Sequence, residues 1–216
     1  MAVGETTVLL VGEGPHELGR PRGEVGPSDD LPPLATLVSR LLGRQDRPRF
    51  LCKPGKDIRN IHRGKMGSRY GKKAYSAIRY AQRKGLHAVV LLMDRDGPAN
   101  VSRLSDMREG RSQIATSFPC ALGVAVEAFD AWMIADAEAI EAAGGDRSET
   151  TATPDSVRAP KDLADGIFGT RRGSGLGPKY SIIAEHVDLS LLEKACPEGF
   201  GPFADEIRER IAPAVA

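Results

Sequence analysis

Ala-Val-Val-Leu-Leu-Met-Asp-Arg-Asp-Gly-Pro, residues 88–98, is the stretch on which the fold turns. Its first six residues are all apolar, with no polar residue at every second place. That is how a strand reads when helices cover both of its faces, as in a parallel sheet. Two aspartates and a Gly-Pro pair then stop it. Outward from this strand the same kind of run recurs. Thr7 to Val11 is β-branched and apolar and is closed by Gly12-Glu13-Gly14-Pro15, and Cys120 to Val126 is continuous and apolar. Arg49 to Cys52 reads as a further strand at the sheet edge.

Helical spacing fills the intervals. Leu34, Leu37, Val38, Leu41 and Leu42 share one helix face and stop at Gly43; Ala74, Ala77, Ile78 and Ala81 mark a helix from Lys72 to Lys84 that ends at Gly85. A polar helix is expected from about Asn100 to Thr116, and another over Glu127 to Ala143, with Phe129 and Trp132 in the core. The stretch from Gly19 to Pro33, rich in Pro and Gly, reads as a long loop. Alternating strands and helices predict an α/β fold with a mostly parallel central sheet flanked by helices. This domain spans 1–145. A polar linker follows at 146–160, and residues 161–216 form a small helical extension packed on the same domain.

The 216 residues, 41% hydrophobic and 27% charged, exclude a disordered or fibrous chain. No apolar run approaches the roughly 18 residues of a membrane helix, so no membrane role is expected. The start lacks a secretory pattern, and Cys52, Cys120 and Cys196 are an odd, widely spaced set; both features predict a cytoplasmic protein with reduced thiols. Net charge is only +1, yet eleven Lys or Arg between Lys53 and Lys84 face a single acid, Asp57. Within and beside that segment, Lys53, Lys56, Arg59, Arg63, Lys65, Arg69, Lys72 and Lys73 are candidates for phosphate-backbone contact. Tyr70, Tyr75 and Tyr80 interleave the charge as stacking surfaces for bases. A lysine-rich helix face is also an ordinary solvated surface, or a docking face for an acidic protein. Arg171, Arg172 and Lys179 flank a smaller glycine loop that reads either as a phosphate contact or as a connector.

Ligands of open parallel sheets bind beyond the carboxyl ends of the strands. Three predicted strands end there in acids: Glu13 after the first, Asp94 and Asp96 after the 88–93 run, and Glu127 after the last, with Asp130 one helical turn on. Singly, each is an ordinary helix-capping carboxylate. As a set on one rim they would repel one another without a cation, and hard oxygen donors suit Mg²⁺ or Mn²⁺. His16, three positions after Glu13, reads either as an aid to proton transfer or, the favoured reading, as a turn histidine bonded to nearby backbone. The cysteines and the remaining histidines show no zinc spacing.

An acid after the first strand, Asp-x-Asp after a later hydrophobic strand and a further acid resemble the Toprim fold. The likeness rests on Val-Leu-Leu-Val-Gly-Glu-Gly at 8–14, Val-Val-Leu-Leu-Met-Asp-Arg-Asp at 89–96, and the segment Val124 to Asp136. That last segment, with Lys179-Tyr180, Cys196-Pro197, Phe200 and Phe203, looks like the Toprim-related bacterial family named domain of unknown function 4276. The resemblance implies a Toprim-like fold and metal-dependent hydrolysis of a DNA or RNA strand. Glu13, Asp94 and Asp96 would carry catalysis, and the metal would sit among these three with Glu127 and, more remotely, Asp130. It also points toward defence or mobile-element systems and a partner ATPase. The short Gly97-Pro98 turn departs from the family pattern and puts a second metal in doubt. Two other readings stay open. One is a non-catalytic module that binds nucleic acid or a partner protein. The other is a phosphatase resembling the haloacid dehalogenases, with Asp94 as nucleophile and Asp96 as acid; it gives Glu13 no task.

Overall fold

Residues 88–94 do form a strand buried from both sides, and a five-stranded sheet is built around it. The structure, a computed structural model, describes residues 6–19, 23–26, 29–43, 47–62, 68–115 and 117–216. In chain order the sheet segments are β1 (Thr7–Gly12), β2 (Gly23–Val25), β3 (Arg49–Pro54), β4 (Ala88–Asp94) and β5 (Cys120–Ala125). Between and after them run α1 (Pro15–Leu18), α2 (Pro33–Leu42), α3 (Arg69–Arg83), α4 (Arg103–Ser112), α5 (Ala137–Ala142), α6 (Pro160–Phe168), α7 (Leu176–His186), α8 (Leu189–Ala195), α9 (Phe200–Arg210) and α10 (Ala212–Val215). The strand order is β2-β3-β1-β4-β5, with β2 antiparallel and the other neighbours parallel. Among the described residues, no helix is long and apolar enough to cross a membrane.

Alternation along the strands divides the core into two layers. Val8, Leu10, Val90 and Leu92 face α2, α7 and α9, where Trp132, Tyr180, Phe200 and Phe203 are fully buried. Leu9, Val11, Val89, Leu91 and Met93 face α3 and α4 through Ala74, Ala77, Ile78, Ala81 and Met107. The helices beyond residue 160 therefore share one apolar core with the sheet. Helices α3 and α4 touch backbone to backbone: a Cβ placed on Gly110 would lie 2.0 Å from the Gly71 carbonyl oxygen. Buried Glu206 of α9 ties α4 to the C-terminal helices by ion pairs with Arg108 and Arg111, and pairs with Arg210 along its own helix. The three cysteines are buried, and burial pushes the thiols of Cys52 and Cys120 up to about 12 and that of Cys196 higher still.

Four expectations change. The 19–33 loop contains β2, whose three residues are too few for a periodic signal. Because β2 pairs with β3, the 49–52 strand lies inside the sheet and not at its edge. The polar helix after β4 is shorter than expected: a 3-10 turn over Pro98–Asn100 precedes α4, which ends at Ser112. The expected 127–143 helix is a 3-10 helix over Phe129–Ile134 followed by α5. Asp136 causes the break. Its backbone is extended, and one carboxylate oxygen accepts the amides of Glu138 and Ala139 while the other accepts that of Asp188. A capped, extended residue begins a helix; it cannot continue one.

Candidate active site

The strand order reverses at the β1–β4 boundary, because the chain leaves β1 toward β3 and returns on the other side to β4. A crevice opens at such a point in a parallel sheet, and the acids collect there. Val11 pairs with Leu91, so β4 runs on past the last paired residue of β1 and carries Asp94 to the level of the Glu13–Gly14 turn. A cavity of about 730 Å³ lies above these ends. Its walls come from the loops after β1, β4 and β5, and from residues 158–162 of the C-terminal part.

Glu13, Asp94, Asp96, Glu127 and Asp130 all line this cavity, as the strand-end argument predicts. Their surroundings differ. Asp94 accepts the Phe129 amide at 2.8 Å, yet burial, followed by the charges of Glu17 and Glu13, pushes its carboxyl up to about 8. Glu13 is also raised, first by burial and then by Asp96, with Arg103, Lys73 and Arg69 pulling the other way. Asp96 is 57% exposed and pairs with the Arg103 guanidinium at 3.0 Å. Glu127 pairs with Arg95 at 3.3 Å. Asp130 does not follow Glu127 along an α-helix; Glu127 has φ 61° and Ala128 is extended. Asp130 accepts from the Tyr180 hydroxyl at 2.6 Å and pairs with His16 Nδ1 at 3.2 Å. Burial alone would raise its carboxyl, but these two partners outweigh it and hold it low. His16 is raised in turn, chiefly by its bond to Asp130.

Three groups of this site were not assigned to it from the sequence. Glu17 is buried, accepts the Gly14 amide at 2.7 Å and is raised by that burial. Its spacing from Gly14 is that of a capping box, which is the readable signal. His16 is bound to Asp130, 114 residues away in sequence, and not to local backbone. Arg103, with a side chain only 4% exposed, donates to the Asp94 carbonyl and the Asp96 carboxylate, lies 4.0 Å from Glu13 and covers the Tyr70 ring. It fixes the loop after β4 from beneath. Asp96 and Glu127 both take positive φ (50° and 61°), and the Asp96 amide donates to the Glu127 carbonyl, so two strained loops lock together at the rim.

The basic candidates separate into groups. Lys56, Arg69 and Lys73 line a second cavity of about 400 Å³ beside the first, and Glu13 belongs to both. Lys53 lies over the Tyr80 ring, Lys72 is half-buried on α3 and Arg59 is exposed. Arg63 and Lys65 lie outside the described residues. The Tyr70 ring is covered by Arg103 and Arg69 and is not an open stacking surface; Tyr75 packs edge-on against His62. Arg171 and Arg172 are exposed, and the Gly173 amide between them and α7 binds the Asp165 carboxylate. Lys179 is turned to the Ala143 carbonyl at 2.7 Å and serves as an internal tie.

The donor chemistry of the acid cavity fits Mg²⁺ or Mn²⁺. Glu13, Glu17 and Asp94 are oxygen donors whose carboxyls are all raised, chiefly by burial and then by their acidic neighbours. Among the described residues, no three His, Cys, Asp or Glu side chains stand close enough to enclose an ion by themselves. Mg²⁺ commonly takes one or two carboxylates and completes its shell with water and phosphate oxygens. Glu13 and Asp94 meet that requirement. Compared with family models, curated proteins and solved structures, the chain matches none.

Proposed function

We propose that the protein hydrolyses phosphodiester bonds of DNA or RNA with a divalent cation, Mg²⁺ or Mn²⁺, held by Glu13 and Asp94. The observation that carries this reading is the meeting of an acidic and a basic cavity at Glu13, on the rim where the strand order reverses. When bound, the cation would polarise a phosphodiester and lower the pKa of a water. The chain's own groups supply the rest. Lys56, Arg69 and Lys73 attract and orient the phosphate backbone. Arg103 and Arg95 hold Asp96 and Glu127 in their strained loops. His16, whose charged form is favoured by its bond to Asp130, lines the same cavity as a proton source for the leaving oxygen. Support also comes from the Toprim resemblance of the strand-end acids.

Incubation with supercoiled plasmid, single-stranded DNA and RNA in Mg²⁺ or Mn²⁺ tests the reading. Cleavage by the native chain and a loss of roughly 100-fold or more in Asp94→Ala/Asp96→Ala are expected, since the variant removes the carboxylate that would hold the metal. Equal cleavage by both proteins, or none by the native chain with either metal, overturns it. A second reading, binding without catalysis, is favoured by one observation: Asp96 and Glu127 are already neutralised by Arg103 and Arg95. Retained nucleic-acid binding with no cleavage would select it.

A further inference from the structure

The smaller cavity has a chemistry opposite to that of its neighbour. It opens beyond the ends of β3 and β1, and three cationic side chains, Lys56, Arg69 and Lys73, line it with the Asn60 amide. Their placement has local causes. Gly55 follows β3 directly, and its carbonyl accepts from the Lys73 ammonium at 2.6 Å. A Cβ at Gly55 would stand 3.4 Å from that nitrogen and 3.5 Å from the Gly12 carbonyl oxygen, so the turn, the end of β1 and the lysine are already in contact. An ammonium carries three donors, and Gly55 takes one. Arg69 sits one turn before Lys73 on α3, where Ser68 caps the helix by accepting the Tyr70 amide. Ser68 in turn donates to Asp106 of α4 at 2.6 Å, which anchors the start of α3. Burial lowers the Lys73 ammonium, and the charge of Glu13 acts against that shift.

We propose that this cavity is a phosphate subsite: it takes the phosphate group of a nucleic-acid strand next to the one lying in the acid cavity, with Glu13 as the wall between the two. The geometry behind this is the shared wall. A strand whose reacting phosphate lies among the carboxylates carries its next phosphate one nucleotide along the backbone, and the basic cavity begins on the other side of Glu13. Arg69 and Lys56 supply exposed charge, and Lys73 a donor fixed by its tie to Gly55. The subsite deepens the phosphodiesterase reading and rests on it for the identity of the ligand, but it binds without catalysis. The phosphate is either internal or terminal on the strand, and the same donors serve both.

The test is therefore a binding measurement in EDTA. Fluorescein-labelled tetrathymidylate with a free terminal phosphate, and the same oligonucleotide without one, are titrated by anisotropy against the native chain and against Lys73→Gln, Arg69→Gln and Lys194→Gln. Lys194, on exposed α8 surface, controls for loss of one charge. Roughly tenfold weaker binding in Lys73→Gln and in Arg69→Gln is expected, with a salt slope reduced by about one and Lys194→Gln unchanged. A native-chain preference for the phosphorylated probe that these variants lose assigns a terminal phosphate; equal loss on both probes assigns an internal one. Binding by Lys73→Gln and Arg69→Gln within twofold of the native chain overturns the proposal, as does no binding of either probe by the native chain. Melting curves screen each variant for folding, and Arg69→Gln keeps the test decisive if Lys73→Gln unfolds. Loss of binding in these variants beside a native chain that cleaves nothing would keep the subsite and discard the catalytic reading; cleavage beside unaltered binding would do the reverse.

Discussion

Asp94→Asn is expected to make the metal-free protein more stable at pH 8, by about 3 kcal/mol, and less stable at pH 4, by about 1–2 kcal/mol, where the folded acid already holds its proton and only the cost of the amide remains. The sign follows from linkage. The carboxyl has an ordinary value of 3.8 when unfolded and about 8 when folded, so between those limits the native state holds the proton more tightly than the unfolded chain. Stability therefore falls as pH rises through that window, and the loss is complete only above about 8. At about 1.4 kcal/mol per pKa unit the penalty has a ceiling near 5–6 kcal/mol. Burying an amide in place of an acid takes back about 1–3 of that. Asparagine keeps the oxygen that accepts from Phe129, so the loop has no reason to move. Denaturant melts in EDTA at pH 4 and pH 8 read the effect directly. Adding Mn²⁺ at pH 8 is expected to raise the midpoint of the native chain and not that of the variant. A variant less stable than the native chain at pH 8 would show that Asp94 is not a repelled, desolvated carboxylate.

Gly110→Ala is expected to cost roughly 3 kcal/mol, the upper end for overpacking, because the added carbon meets backbone and no side chain can swing away. At this chain length that is a drop of about 6–12 °C in melting temperature. The damage will not stay local. Helix α3, which must give way, carries Arg69 and Lys73, so oligonucleotide binding is expected to weaken together with stability. Gly177→Ala on α7 is the matched contrast: a Cβ there meets nothing within 4 Å. It is expected to be neutral or stabilising by about 0.4–1 kcal/mol. Equal melting temperatures for the two alanine variants would mean that α3 and α4 can separate at little cost.

How far the sequence foretold these features depended on whether the signal was local. Strands β1, β4 and β5 were readable because a strand covered on both faces needs an unbroken apolar run, and each has one. Their ends then located Glu13, Asp94, Asp96 and Glu127 on one rim by topology alone, whereas Asp130, expected there one helical turn after Glu127, reaches the same cavity through an extended Ala128 and a 3-10 turn. β2 was not readable, since one buried valine in three residues has no period. The partners of the rim acids were equally hidden. Arg103 stands in a polar helix sequence where a guanidinium ordinarily reaches solvent, and only the packing of α4 against Tyr70 turns it inward. His16, Asp130 and Tyr180 meet across separations of 114 and 50 residues, which no spacing rule spans. Lys179 shows the converse error: charge beside a glycine loop resembles a phosphate contact until the Ala143 carbonyl is seen to hold it.

The buried thiols have a kinetic consequence. Alkylating reagents attack thiolate, and with thiols at about 12 or above the folded chain offers almost none at neutral pH. Modification then proceeds through opening of the structure, so its rate is a clock for unfolding. The three clocks stand in different places: Cys52 on β3, Cys120 on β5, and Cys196 at the end of α8. Equal rates would mean that sheet and C-terminal helices open as one cooperative unit; a faster Cys196 would mean that the helical layer lifts away first and leaves the strands protected.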